Sequence, residues 1–375
     1  MIYLDYCATT PMRDEALETY VQACRSFSGN EQSLHDYGEE AKQLLHYCRE
    51  EIAALIGGHP HGVYFTNGGS DSNITALLSL AYGNSARGRH IITSPFEHPS
   101  VYQALGKLQE EGFTVEEAAA KPNGEVCLES IASLIREDTI LITVCHASSE
   151  TGVIQPLAEI GKLASDAVFH TDAVQTFAKV PLDVTALRLD AISMSAHKIY
   201  GPKNTGACYI APHVRWKSIY PGVSHQDGFK PGTVDVPGIA AFTTAARVMH
   251  DQLEANRDRW QNMQRSFLQQ VDEETFTLFG DPVKRLPHHL ALGARGYEGQ
   301  WMLLECNRRG IAISSGSACQ SSLSAPPKSL LAMGYTPEDA HSLFRISFGI
   351  HTTDEHLEKT AAALQEITAR SQTNV

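Results

Sequence analysis

The sequence predicts an α/β protein whose larger part is a mainly parallel β-sheet with helices on both faces, followed by a smaller α+β part. Between residues 38 and 211, helical segments alternate with short apolar runs, which is typical of a parallel sheet built from crossover connections. A long helical stretch then covers residues 237–271 and becomes strongly polar towards its end. A second mixture of strands and helices follows it, which predicts a separate layer structure.

The elements of the larger part are predicted from apolar runs bounded by turn or helix signals. They are a helix over 38–56, a strand over 62–66, a helix over 71–82, and strands over 90–94, 139–145, 167–172, 191–196 and 206–211. Functional groups of such a sheet collect at the carboxyl ends of its strands. The motifs that follow these strands are therefore the candidates for a site.

The smaller part is predicted to contain strands over 288–294, 311–314 and 343–349 and helices over 299–309 and 353–369. A Ser/Gly/Pro-rich segment over 316–327 reads as a loop. A chain of 375 residues favours two domains over one. We expect an N-terminal segment (1–14) that packs with the small domain, a large domain (15–250) and a small C-terminal domain (251–375).

Composition and charge exclude several classes of function. The chain is 42% hydrophobic and 19% charged with a net charge of −13, which argues for a globular protein without a nucleic-acid or anionic-membrane partner. The start of the chain lacks the features of a signal peptide, and no run approaches the roughly 20 apolar residues of a membrane span. We expect a cytoplasmic protein.

Eight cysteines are spread along the chain without a C-x-x-C pair or zinc-ligand spacing, so no metal site is expected. Most of them are expected to be buried as small apolar side chains. Cys319 differs because it lies in the polar segment "SSGSACQSS". Neither burial nor a disulfide explains a thiol in such a loop, which favours a chemical role for Cys319.

Three motifs follow predicted strands. "TNGGSDSN" (66–73) opens a helix, and its glycines and helix N-terminus suit a phosphate, although such a motif alone is more often only a helix start. "HTDAVQ" places Asp172 at a strand end with Gln175 beyond it. A carboxylate there is either a helix N-cap or the partner of a cation such as a protonated pyridine nitrogen.

The third motif, "SAHKIYGPK", ends a strand with Ser195, His197 and Lys198. A buried lysine is costly as a charge but not as an imine to an aldehyde cofactor. The alternative is a lysine whose amine reaches the surface. Three titratable or anion-binding groups at successive strand ends favour the functional interpretation.

These motifs give the sequence its resemblance to a known family. "YLDYCATTP", "GNEQSLHDYG", "FTNGGSDSN", "EHPSV", "HTDAVQ", "SAHKIYGPK", "GTVDVPGI", "SSGSACQ" and "RISFG" occur in the order of the cysteine desulfurases. Those are fold-type I pyridoxal-phosphate enzymes of the class V aminotransferase group. "SSGSAC" resembles the members with a long catalytic loop.

The resemblance implies a cofactor site. Lys198 carries pyridoxal phosphate as a Schiff base, Asp172 contacts the pyridinium nitrogen, Gln175 contacts the phenolic oxygen, and His98 stacks on the ring and moves protons. The phosphate contacts it implies are Gly69, Ser70, Ser195, His197 and, from a second subunit, Thr233. A site shared in this way implies a homodimer.

The resemblance also implies the substrate and the product. Asn30 and Arg345 bind the carboxylate of L-cysteine, although Arg345 taken alone would more often be a surface ion pair. Cys319 attacks the substrate sulfur, keeps it as a persulfide and leaves L-alanine. The sulfur then passes to an acceptor protein, such as an iron–sulfur scaffold or quinolinate synthase.

The chain departs from the family in several places, among them "GNEQSLH" in place of "GNPSSxH" and Cys7 where Ser or Ala is common. Ser148 and Ser149 stand where relatives carry "NNE" near the cofactor oxygen, so that contact, assigned to Ser149, is shortened or lost. "PGVSHQDGFKPGT" replaces a Gly-rich run before Thr233. The other interpretations are a selenocysteine lyase or another class V enzyme, and a degenerate scaffold that has lost activity.

Overall fold

A seven-stranded sheet forms the centre of the larger part in the computed structural model, which describes residues 1–316 and 325–372. The predicted fold class is confirmed. The strands are β1 (Ile2–Tyr3), β2 (Val63–Thr66), β3 (His90–Thr93), β4 (Thr114–Glu117), β5 (Thr139–Thr143), β6 (Val168–Asp172), β7 (Ala191–Ser195), β8 (Gly206–Ile210), β9 (Phe276–Leu278), β10 (His289–Ala294), β11 (Ile311–Ala312), β12 (Ser314–Ser315) and β13 (Leu343–Ser347).

The helices cover the sheets and connect their strands. They are α1 (Asp14–Ser26), α2 (Asp36–Leu55), α3 (Gly69–Asn84), α4 (Pro99–Glu110), α5 (Leu128–Leu134), α6 (Leu157–Leu163), α7 (Val236–Asp251), α8 (Leu253–Gln270), α9 (Gly299–Arg308), α10 (Lys328–Ala332), α11 (Pro337–His341) and α12 (Asp354–Gln372). Among the residues that the structure describes, no helix is both long and apolar enough to cross a membrane.

The large sheet has the order β2-β8-β7-β6-β5-β3-β4. The five strands from β7 to β4 are parallel, whereas β8 runs antiparallel to both of its neighbours. Its apolar inner strands are buried along their whole length, because helices cover both faces. Helix α3 packs on α4 and on the central strands, and this places its N-terminus beside the carboxyl ends of β6 and β7.

The smaller part contains an antiparallel sheet of order β12-β13-β10-β9. The N-terminal segment joins it, because β1 pairs with β11 and Asp5 forms a bridge with Ser347. The single helical stretch predicted over 237–271 is wrong. Two helices meet at Gln252, where the mostly buried α7 gives way to α8, which buries only one face. These features support a domain boundary near residue 251, which stays a prediction.

Candidate active site

A cavity of about 610 Å³ lies at the carboxyl ends of β6 and β7. Ten of the residues predicted for the site line it: Gly69, Ser70, His98, Ser149, Asp172, Gln175, Ser195, His197, Lys198 and Arg345. Asn30 and Thr233 are exposed, and among the cavity-lining residues that are described neither appears. Cys319 lies outside the described residues. The structure therefore brings most of the predicted residues together, while their individual roles stay predictions.

Lys198 reaches the cavity from a short 3₁₀ turn (Ala196–Lys198) that follows β7. Its Nζ donates hydrogen bonds to the carbonyl oxygens of Cys7 and Ala8, the latter at 2.8 Å. Gln175 Nε2 donates to the same Cys7 carbonyl at 3.1 Å. The N-terminal segment thus fixes both side chains through backbone acceptors, which do not depend on the identity of residue 7.

Asp172 is the last residue of β6 and is buried. Its Oδ1 accepts a hydrogen bond from the Val174 backbone N–H at 2.9 Å, and its Oδ2 accepts one from Asn73 Nδ2 at 2.7 Å. Sequence reasoning did not single out Asn73, although it ends the quoted motif "TNGGSDSN". A polar residue one helical turn after the glycines was the signal that could have found it.

The N-terminus of α3 opens into the cavity. Its N-cap, Gly68, has φ of 111° and offers no side chain to the first turn, so backbone N–H groups there are available to a ligand. At Gly69, an added Cβ would come within 2.5 Å of a Val174 methyl carbon. Ser195 Oγ, which also lines the cavity, has no hydrogen-bond partner within the described chain. The α3 N-terminus at Gly68 and Gly69, together with Ser195, forms a cradle whose open polar groups suit a phosphate.

These groups fit pyridoxal phosphate. The cofactor needs an amine for its aldehyde, a carboxylate for its ring nitrogen and donors for its phosphate. Lys198, Asp172 and the α3 N-terminus supply all three around one cavity. Gln175 Oε1 is buried and, over residues 1–316 and 325–372, accepts no hydrogen bond, which leaves polar capacity for a bound ligand.

Burial keeps both histidines of the cavity neutral near neutral pH. It lowers the pKa of His197 to about 4, and the neighbouring lysines, Lys198 foremost, act in the same direction. Burial also lowers the pKa of His98; Asp172 opposes this effect and Lys198 adds to it. The positive charge near the cradle therefore comes from lysine side chains, which favour an anionic ligand.

Glu97, the neighbour of His98, is a buried carboxyl. Burial raises its pKa to about 8, and the nearby carboxylate of Asp172 acts in the same direction. Its Oε1 accepts hydrogen bonds from Ser94 Oγ at 2.5 Å and from the Cys145 backbone N–H at 2.8 Å. Near neutral pH Glu97 is therefore mostly protonated, and it ties the segment after β3 to the segment after β5.

Arg345 enters the cavity from β13 of the smaller part and is buried, so it is not a surface ion pair. Its Nη1 donates to the Ser149 carbonyl oxygen and its Nη2 donates to Ser314 Oγ, both at 2.7 Å. A guanidinium held at two nitrogens is preorganised for a carboxylate. Ser149 lines the cavity, and its backbone carbonyl helps to orient Arg345.

The altered segment before Thr233 (221–233) forms hydrogen bonds and an ion pair with residues on both sides of the cradle. The side-chain amide of Gln226 accepts from the Phe65 N–H at 2.6 Å and donates to the Phe65 carbonyl oxygen at 2.8 Å, as a neighbouring strand would along the edge of β2. Lys230 forms an ion pair at 2.8 Å with Asp71 in the first turn of α3. The segment therefore has specific anchors in place of the Gly-rich run.

Comparisons with known proteins show which family the chain resembles over its length. Residues 2–360 match the family model described as Aminotransferase class-V. The putative cysteine desulfurase NifS of Bacillus subtilis (strain 168) is 43% identical over 96% of this chain and 92% of that protein. A solved NifS-like protein superposes with a TM-score of 0.92 at 28% identity, covering 98% and 99% of the two chains. The solved structure of SspA in complex with cysteine superposes with a TM-score of 0.81 at 28% identity, covering 94% of this chain and 100% of that one.

Proposed function

Because this chain belongs to the cysteine desulfurases, pyridoxal-phosphate enzymes of the class V aminotransferase family, we propose that it stores the sulfur of L-cysteine as a persulfide on Cys319. The observation that carries the proposal is the single cavity in which Lys198, Asp172 and the open N-terminus of α3 meet the buried Arg345. The solved relative SspA, described in complex with cysteine, supports L-cysteine as the substrate.

The residues assigned to the cofactor are Lys198 for its aldehyde, Asp172 for its ring nitrogen, Gln175 for its phenolic oxygen and the α3 N-terminus with Ser195 for its phosphate. Pyridoxal phosphate, when bound, supplies an electron sink that makes the α-proton of an amino acid acidic. Asp172 is held in one orientation by two hydrogen bonds, so its carboxylate does not have to reorganise when the cofactor binds.

Arg345 and Lys198 divide the handling of the substrate. Arg345 binds the α-carboxylate through its planar guanidinium, oriented by Ser149 and Ser314. Lys198 Nζ takes the α-proton, because the carbonyl oxygens of Cys7 and Ala8 hold its amine inside the cavity. His98 is neutral near neutral pH since burial lowers its pKa, and its neutral ring can take part in proton transfer in a later step.

Cys319 performs the sulfur transfer in this proposal. Its thiolate sulfur forms a bond to the sulfur of cysteine while the carbon–sulfur bond of the substrate breaks. The electron pair of that bond stays on carbon, which takes up a proton and leaves as L-alanine. The assignment rests on the "SSGSACQ" motif and on the need of the reaction for a nucleophilic thiol.

The persulfide sulfur has to leave the enzyme. We assign it to a sulfur-acceptor protein, either an iron–sulfur scaffold or a cluster-containing enzyme such as quinolinate synthase. Thr233 is exposed beside a segment anchored to the cradle, which supports its assignment to the phosphate of a second subunit in a homodimer.

The test is turnover of L-cysteine by Cys319→Ala in the presence of dithiothreitol. We expect the variant to bind cofactor normally while alanine and sulfide production fall at least a hundredfold. The matched control is Cys24→Ser, which changes an exposed cysteine on α1 and is expected to keep wild-type turnover. Near-normal desulfuration by Cys319→Ala would contradict the persulfide step and favour a lyase.

A further inference from the structure

A continuous chain of hydrogen bonds connects His98 and Asp172, two predicted site residues that line the cavity. Asn73 Nδ2 donates to Asp172 Oδ2 at 2.7 Å and to Ser100 Oγ at 3.0 Å. Ser100 Oγ lies 2.7 Å from His98 Nδ1. Asn73 and Ser100 are both buried, so water does not compete for these bonds.

The contacts around Ser100 indicate a direction for each hydrogen bond in this chain. The Ser100 backbone N–H donates to His98 Nδ1 at 3.2 Å, so Nδ1 is an acceptor and carries no proton. Ser100 Oγ must then donate its hydroxyl proton to Nδ1. Its oxygen is left to accept from Asn73, in agreement with the 3.0 Å contact.

Asp172 fixes the other end of the chain. If the Asn73 amide were reversed, its oxygen would face the Asp172 carboxylate, and two acceptors would repel each other. In the observed orientation both amide hydrogens are used, while Asn73 Oδ1 is buried and finds no donor among the described residues. An unpaired carbonyl oxygen is costly, and this cost is tolerated because both amide hydrogens have partners.

We propose that Asn73 and Ser100 are positioning residues that hold neutral His98 with its ring proton on Nε2 and link it to the Asp172 carboxylate. The inference rests on the proposed function for its chemical use, since it decides which nitrogen of His98 gives or takes a proton. In the neutral ring Nε2 is then the donor. A protonated Nδ1 would lose both of its donors, which opposes protonation of His98 at that atom.

The direct test is the ¹⁵N spectrum of histidine-labelled protein without L-cysteine, with the His98 signals assigned by His98→Gln. We expect an unprotonated Nδ1 and a protonated Nε2 in the wild type. Because no substrate is present, the result does not depend on desulfurase activity. A wild-type enzyme that makes no sulfide would contradict the proposed function alone, whereas an Nδ1-protonated His98 would overturn this inference alone.

Two variants test the relay itself. In Asn73→Ala the hydroxyl oxygen of Ser100 loses the Asn73 donor and becomes free to accept a hydrogen bond from a protonated Nδ1. We therefore expect the Nδ1-protonated tautomer of His98 to gain on the order of threefold to tenfold. Ser100→Ala should shift the ring signals in the same direction, and Ser100→Thr should restore them. Unchanged ring signals in both alanine variants would show that Asn73 and Ser100 do not hold the tautomer of His98.

The matched control is Asn84→Ala. Asn84 is a second buried asparagine of α3, and its amide donates to the backbone carbonyls of Leu80 and Arg215. Its loss is expected to lower stability without changing the His98 signals. If Asn84→Ala moves those signals as far as Asn73→Ala does, the effect is general loosening of α3 and the assigned role of Asn73 is wrong. Ser100→Ala keeps the test available if Asn73→Ala fails to fold.

Discussion

Replacing Glu97 by glutamine should change how stability depends on pH. The pKa of this buried carboxyl lies at about 8 instead of its ordinary 4.5, so the folded protein keeps the proton over a range in which the unfolded chain has released it. The unfolded state then binds fewer protons, and the free energy of unfolding falls as pH rises through this range. Glutamine cannot titrate, so Glu97→Gln lacks this decrease.

The size of the effect follows from the displaced pKa. One pKa unit corresponds to about 1.4 kcal/mol, so between pH about 4.5 and about 8 the wild type should lose on the order of 4 kcal/mol relative to Glu97→Gln. The glutamine oxygen can still accept from Ser94 Oγ and the Cys145 N–H, the two bonds that Glu97 Oε1 makes. Its amide replaces an oxygen without a partner in the described chain, which adds a cost that does not vary with pH.

The assay is urea unfolding of both proteins, saturated with cofactor, at several pH values across this range. Glu110→Gln is the control, because it removes an exposed carboxylate at the end of α4 and leaves the buried Glu97 in place. Infrared spectra of the folded proteins provide a second readout, since only the wild type should show the carbonyl band of the protonated Glu97. If the free energies of unfolding of wild type and Glu97→Gln differ by a constant amount across this pH range, the raised pKa of Glu97 is wrong.

Three further predictions test separate parts of the site. Borohydride reduction of the cofactor-loaded enzyme followed by peptide mapping should label Lys198 and no other lysine; a label elsewhere would move the cofactor site. Gln226→Ala loses both bonds to the Phe65 backbone and should weaken cofactor binding on the order of threefold to tenfold, measured by absorbance titration, whereas Ala at the exposed Gln43 should change nothing. The enzyme should sediment as a dimer, and Thr233→Ala should release cofactor faster; a monomer with full cofactor occupancy would contradict the shared site.

The fold was predictable where strands are apolar and buried. Strands β2, β5, β6, β7 and β8 were each located to within two residues, because helices on both faces demand continuous apolar runs. Some elements without that signal were missed. Helix α1 buries only two alanines, and β4 is an edge strand with the sequence TVEE, so tertiary contacts rather than local pattern determine both.

The site was predictable at strand ends and not beyond them. Asp172 and Lys198 follow buried strands, and parallel topology brings such residues to one edge. Gln226 depends on two consecutive left-handed residues, itself at φ 48° and Asp227 at φ 58°, a conformation that sequence pattern does not indicate for non-glycine residues. Ser100 was not predicted because its role depends on hydrogen bonds to His98 and Asn73, and only the folded chain brings Asn73 close to it.

Transfer of the sulfur of L-cysteine to Cys319 is directly measurable as a change in the mass of the peptide that carries this residue. Cofactor-loaded enzyme is mixed with one equivalent of L-cysteine without a reductant, and its peptides are then weighed by mass spectrometry while alanine is quantified. We expect one added sulfur atom on the peptide that carries Cys319, together with one equivalent of alanine. Alanine formed with free sulfide and an unmodified Cys319, or with the extra sulfur on another cysteine, would contradict it.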